Sequence, residues 1–251
     1  CCLACNSDCT NAQIRINLRV MSNAPVTHID PATFSADPYP ALAAMRRDAP
    51  ITFVPELGAT LITKRIDVHE QEKRIDTFSS LQPDGLMTKL MGENMMRKGG
   101  DAHLEERRIL FPALSPKTVQ KHWKPIFEAR TREVLENLRH KGACDLVTEF
   151  AMPVSAEALK AITGLASMPT ADMDRVSQAM IDGCANYAGL RDIEIRCHAG
   201  TALIDAYIDE MWANPPEQSA LAVMKDAGLA MDSIRANIKL IISGGQNEPR
   251  D

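Results

Sequence analysis

Aromatic residues make up only 4% of the 251 positions, and no basic block interrupts the overall acidity of the chain. The first shortage argues against a β sandwich or barrel, whose pleated faces favour aromatic and β-branched side chains. The second removes the electrostatic footprint of a nucleic-acid binder: the net charge is −5, and the 28 Lys and Arg are spread along the chain. No apolar run approaches the roughly 18 residues of a membrane span, and no charged segment followed by an apolar one opens the chain. Neither nucleic acid nor a membrane is expected as a partner, and the expected compartment is the cytoplasm.

What is abundant points to helices. The chain is 45% hydrophobic with 13 Met, enough to bury a substantial core, and its composition suits a mainly α fold. Four of the seven Cys (Cys1, Cys2, Cys5, Cys9) crowd the first nine positions. Cys2 and Cys5 form a Cys-x-x-Cys to which Cys9 adds a third thiol, but the second ligand pair of a zinc or iron–sulfur site is missing. The plainer reading makes residues 1–20 a leader outside the folded protein, with one domain from Met21 onward. Cys144, Cys184 and Cys197 are isolated in helical or apolar surroundings and are expected as buried, reduced thiols.

Along the chain, the pattern predicts a helix over Pro38–Asp48, a small β hairpin over "ITFVPELGATLIT" with Gly58 at its turn, and a helix through "RIDVHEQEKRID". Residues 78–100 read as a long binding loop carrying the apolar Leu86, Met87, Leu90 and Met91. From Asp101, the expected N-cap, the chain is helical almost throughout. Pro125 and Gly142 bracket one helix, and others fit Ser155–Thr163, Asp172–Tyr187, Asp192–Trp212 and Asp232–Ser243.

Two groups of residues carry chemistry. His103 and Arg107 lie four apart on one helix face, where an imidazole and a guanidinium fork suit a carboxylate or phosphate. The alternative is that Arg107 pairs with Glu105, Glu106 or a solvated neighbour. In the last predicted helix, Met231, Ile234, Ile238, Ile241 and Ile242 form one apolar stripe that continues to Gly245 and then to Glu248 and Pro249. A glycine there leaves space for close approach, and Pro249 would free a carbonyl of the helix. The alternative is an ordinary helix stop at Gly244-Gly245.

Taken in order, "DPYPALAAMRRDAPI", "LITKRIDV", "FSS", "HLEERR", "ALSPKTV" and "IKLIISGGQNEPRD" resemble the N-terminal half of a bacterial cytochrome P-450, a haem-thiolate monooxygenase. The resemblance runs from about residue 30 to the end. It implies that His103 and Arg107 hold a haem propionate. It also implies that Gly244, Gly245, Gln246, Asn247 and Glu248 occupy the oxygen-binding kink of the central helix, with Gly244 and Gly245 against the cofactor and Gly245, Asn247 and Glu248 as its catalytic members. Leu86, Met87 and Met91 match the first substrate-recognition region, and Ile241 faces the substrate.

The chain departs from that pattern in several places. Asn247 stands where an acid is usual and Glu248 where an alcohol is usual, so Glu248 is expected to supply protons. Gly100-Asp101 replaces a common Pro-Pro. The family's Glu-x-x-Arg helix and Phe-x-x-Gly-x-x-x-Cys ligand loop are absent from these 251 residues, so no axial Cys is assigned.

The implied protein is a truncated haem monooxygenase, inactive as given. When intact it would insert one oxygen atom of O₂ into a small apolar substrate, with electrons from a ferredoxin or a fused reductase. The alternatives are a non-enzymatic helical protein that binds small molecules, and a regulatory partner using the terminal stripe. On the fragment reading, Ile234, Ile238, Ile241 and Ile242 are expected to be uncovered and to drive association.

Overall fold

The computed structural model describes residues 23–187 and 189–247. Contacts divide the chain after Ser79 into two compact units. The first holds α1 (Pro31–Ala36), α2 (Tyr39–Asp48), β1 (Ile51–Val54), β2 (Ala59–Ile62) and α3 (Arg65–Gln71). β1 and β2 pair antiparallel, Ile51 opposite Ile62 and Val54 opposite Ala59, and Gly58 takes the positive φ of +61° that the turn needs. Phe53 and Val54 are buried, and Thr52 is tied through its hydroxyl to Thr27 at 2.6 Å and to the Pro25 carbonyl at 2.8 Å. α3 stops at Gln71, five residues short of the predicted end. The residues that follow, Glu72 to Thr77, are exposed and polar apart from Ile75, so no apolar stripe remains to hold a helix down.

The second unit is helical: α4 (Leu86–Met91), α5 (Gly100–Leu114), α6 (Lys124–Leu138), α7 (Met152–Thr163), α8 (Thr170–Cys184), α9 (Arg191–Met211), α10 (Ala220–Asp226) and α11 (Met231–Gly245). Together with the hairpin of the first unit, this is the expected mainly α class. The anticipated loop at 78–100 contains α4 and a short 3₁₀ turn, Met95–Arg97. Leu86, Met87, Leu90 and Met91 fall at helical spacing and pack on the core, which is why that stretch is ordered. α5 begins at Gly100 with Gly99 as its N-cap, so Asp101 lies in the first turn and makes no cap hydrogen bond. α8 ends at Cys184, earlier than predicted, because the Asn186 side chain binds both N–H and C=O of Leu190 at 2.9 Å and closes a loop. Two π-helical stretches, Val119–Trp123 and Leu146–Ala151, had no signal in the sequence.

α11 is the central element of this unit and contacts α4, α7, α8, α9 and α10. Ile234, Ile238 and Ile242 have no solvent exposure, and Met231 and Ile241 are half-buried against the same core. The expectation of an uncovered stripe is therefore wrong: these helices already enclose it. Burying three isoleucines contributes about 1.5–3 kcal/mol each. Nor does the glycine pair stop the helix at Ser243, since α11 runs through Gly245. The Ser177 hydroxyl donates to the Ile242 carbonyl at 3.2 Å, and the Ser155 hydroxyl reaches the Gly245 and Gln246 carbonyls at 3.0 and 3.1 Å. Ser155 on α7 thus satisfies carbonyls that the helix end leaves open, while Ser177 on α8 adds a second donor to the Ile242 carbonyl, which already accepts from the Gln246 N–H. No helix of the described residues is long and apolar enough to cross a membrane.

α8 and α9 pack tightly at Gly183, where an added Cβ would lie 2.6 Å from Cys197 Sγ and 2.8 Å from its Cβ. Gly183→Val should therefore lower stability by about 1–3 kcal/mol through overpacking. A chemical-unfolding curve would show it as a lower midpoint; an unchanged midpoint would mean that the two helices can part freely.

Candidate functional site

α5 displays two faces of different character. Inward, Glu106, Leu110 and Ala113 are buried. Outward lie Leu104, Arg107, Arg108, Phe111 and Leu114, all exposed, while His103 is half-buried at the edge. The 3.6-residue period separates Glu106 from Arg107 by about 100° around the helix axis, so adjacent charges meet different surroundings.

The inward charge anchors the helix. Glu106 Oε1 accepts from Lys98 Nζ at 2.5 Å, and Oε2 accepts from Asn237 Nδ2 on α11 at 2.8 Å. Lys98 Nζ also donates to Ser233 Oγ of α11 at 2.9 Å. Asn237 Oδ1 in turn accepts from the Met95 backbone N–H at 2.9 Å. A buried carboxylate is costly unless paired and hydrogen-bonded, and this one is both.

This arrangement excludes Glu106 as the partner of Arg107. Glu106 is committed to Lys98 and Asn237, and among the described residues Arg107 makes no ion pair or hydrogen bond. His103 Nδ1 lies 2.8 Å from the Met95 carbonyl oxygen. A carbonyl only accepts, so Nδ1 carries a proton, and Nε2 can donate to an anion only when the ring is protonated there as well. An unpaired guanidinium, four residues from an imidazole that becomes a second donor in its imidazolium form, is a set that suits a carboxylate or phosphate.

At the other end of α11, the side-chain direction of Gly245 is filled by α7: an added Cβ would meet Leu159 Cδ2 at 2.6 Å. The missing side chain there is accounted for by close helix packing. Gly244 is half-buried. Asn247 Nδ2 donates to Ser177 Oγ at 2.9 Å, while Asn247 Oδ1 and Gln246 Oε1 are buried without a partner among the described residues. A buried acceptor left open in this way invites a proton donor. Glu248 and Pro249 lie outside the described residues, as do Cys1, Cys2, Cys5 and Cys9. Of the residues expected to face a substrate, Leu86, Met87 and Ile241 are half-buried against the core, and Met91 is fully buried within it.

The described cysteines do not form a metal site, and no cluster of three or more His, Cys, Asp or Glu that could hold a metal occurs among the described residues. Cys197 is buried as expected, and Cys184 is half-buried with Sγ 3.5 Å from Met91 Sδ. Cys144 is exposed, contrary to expectation, because the loop that carries it, Lys141 to Asp145, packs on nothing apolar. Burial pushes the Cys184 thiol up and the Cys197 thiol up to about 11.

This fold has close counterparts. CYP109E1 from Bacillus megaterium, solved with testosterone, superposes with a TM-score of 0.68 at 19% identity, over 84% of this chain and 57% of that one. CYP154A1 from Streptomyces coelicolor gives 0.67 at 21% identity, over 88% and 59%. The fold is that of the cytochromes P450. Among curated proteins, the putative cytochrome P450 YjiB of Bacillus subtilis is 24% identical over 196 residues, which is 76% of this chain and 48% of the relative. The beta-dihydromenaquinone-9 omega-hydroxylase of Mycobacterium tuberculosis is 25% identical over 154 residues, 61% of this chain and 30% of that protein. The chain therefore spans about half the length, or less, of the curated relatives it matches. No protein-family model matches it. In this fold α5 carries His103 and Arg107, and α11 is the central helix of the second unit.

Two residues of the site escaped sequence reading. Glu106 passed for one more surface charge beside Arg107. Asn237 sits next to Ile238 inside the apolar stripe, and a polar amide in a buried helical stripe was the available signal.

The thiol environments generate a prediction. A raised pKa keeps a thiol neutral below that value, and the thiolate is the reactive form. Iodoacetamide at about pH 8 should thus modify Cys144 well before Cys184 and leave Cys197 unmodified in the folded chain. Peptide mass spectrometry reads the order; early labelling of Cys197 would contradict the burial described.

Proposed function

We propose that the complete protein is a haem monooxygenase that inserts one oxygen atom of O₂ into a small apolar organic molecule. The other atom leaves as water, with two electrons from a redox partner and two protons. The observation that carries this reading is the free Arg107 beside the held His103 on α5 of a P450 fold. When bound, haem supplies the oxygen activation and redox chemistry.

The residues of this chain bind, orient and exclude water. His103 and Arg107 would hold a propionate and so fix the cofactor's orientation. Ile241, Leu86 and Met87 would present apolar surface to the substrate, with Met91 backing them from the core. Asn247, anchored through Ser177, would orient a proton donor at its open Oδ1, and Glu248 would hold the transferable proton. The stretch from residue 1 to 251 is proposed to be catalytically silent by itself, because Cys184 and Cys197 are held as neutral thiols and Cys144 lies on an exposed loop.

Haem binding by variants of the complete protein tests the reading. Arg107→Ala should weaken haem retention by about 1.5–3 kcal/mol, the value of a charge-assisted hydrogen bond, and His103→Ala should cost less. Equal retention in wild type and both variants would remove the propionate role. A preparation that binds an apolar acid at His103 and Arg107 but takes up no haem would favour a non-enzymatic binding protein.

A further inference from the structure

Met95 is held from two sides. Its N–H donates to Asn237 Oδ1 of α11 at 2.9 Å, and its carbonyl accepts from His103 Nδ1 of α5 at 2.8 Å. The 3₁₀ turn that it opens is fixed as well: Asn94 Oδ1 caps it from the Met96 N–H at 3.1 Å, and Lys98 N–H closes it onto the Met95 carbonyl at 3.3 Å. Lys98 then returns through its ammonium group to Glu106 and Ser233. One continuous set of hydrogen bonds thus leads from the middle of α11 to the imidazole of His103.

We infer that Asn237 is a positioning residue for the anion site: from α11 it clamps the Met95 backbone and thereby sets the tautomer and direction of His103. This rests on the reading of His103 and Arg107 as a propionate site and adds what aims the imidazole. The chemistry of the position is specific. It requires an acceptor for the Met95 N–H and a donor for the Glu106 carboxylate on one short side chain, with no solvent exposure to substitute for either. Asn provides both and its amide has a single satisfactory orientation, because the carboxylate accepts only and the N–H donates only. Asp lacks the donor, and Leu lacks both.

The consequence for His103 is specific too. With the Met95 carbonyl fixed, Nδ1–H is held and Nε2 aims outward, where the ring in its imidazolium form donates to the carboxylate. If the turn is released, the ring loses its reference and returns to a mixture of tautomers. Partners that orient a binding histidine in this way typically account for 10–100-fold in affinity where a metal is bound, and a similar loss, about tenfold, is expected for the propionate.

The test has two arms. In the first, nitrogen-detected NMR of ¹⁵N-histidine-labelled apo protein reads the His103 tautomer, assigned by the His103→Ala variant. Wild type and Ser233→Ala should show one form, Nδ1–H, and Asn237→Leu should show a mixture. Should Asn237→Leu not fold, Asn237→Ser carries the test, since its smaller side chain leaves room for a water to satisfy Glu106. The second arm titrates haem into the complete protein, where Asn237→Leu or Asn237→Ser should bind about tenfold more weakly. An unchanged tautomer together with unchanged haem affinity, while His103→Ala still weakens binding, would overturn the inference and leave the propionate reading standing. If His103→Ala binds haem like wild type, the propionate reading falls, and the tautomer arm still decides whether Asn237 aims the ring.

Discussion

The buried carboxylate of Glu106 is the constraint on which the candidate site of this molecule depends. A charge at that depth is stable only with a full set of partners. Lys98 and Asn237 supply them, one from the segment ahead of α5 and one from the central helix α11. Because both partners are engaged, Arg107, one residue along the chain, is left without a carboxylate and remains available to an external anion. The neutral alternative, an apolar residue at 106, would pack α5 equally well but would fix neither the Lys98 segment nor the Met95 backbone.

The same reasoning links the core to the site. Ile234, Ile238 and Ile242 hold α11 in place through burial on several sides, and Asn237 and Ser233 project from that helix toward α5 and its leading turn. Farther along, Ser155 and Ser177 secure the carbonyls of the last turn, and Gly245 admits Leu159. The apolar stripe thus gives position, and a few polar residues turn position into orientation. A structural likeness to P450 chains at TM-scores of 0.67–0.68, with identities of 19–21%, is what such an arrangement produces when packing is kept and individual side chains change.

Much of this was legible in the sequence. The i,i+3,i+4 stripe of α11, the hairpin around Gly58 and the pairing of His103 with Arg107 on one face follow from periodicity and turn chemistry alone. Coverage was not legible: the stripe says that Ile234 and Ile238 must be buried, but not by which helices. Nor was the identity of the partners of Glu106, since Lys98 and Asn237 lie 8 and 131 residues away along the chain. Periodicity also passed over α4, whose single turn and a half between Gly85 and Gly92 looked like a loop until packing ordered it. The space at Gly245 was anticipated as an opening, whereas the structure fills it from α7.

The central claim is that Glu106 and Asn237 act as a unit joining α5 to α11, and a double-mutant cycle measures it directly. Glu106→Ala, Asn237→Ala and the double variant should be compared by chemical unfolding. The account predicts a coupling energy of about 1–3 kcal/mol, with the double variant less destabilised than the sum of the two singles. Additivity to within about 0.5 kcal/mol would show that the two residues act independently, and would contradict it.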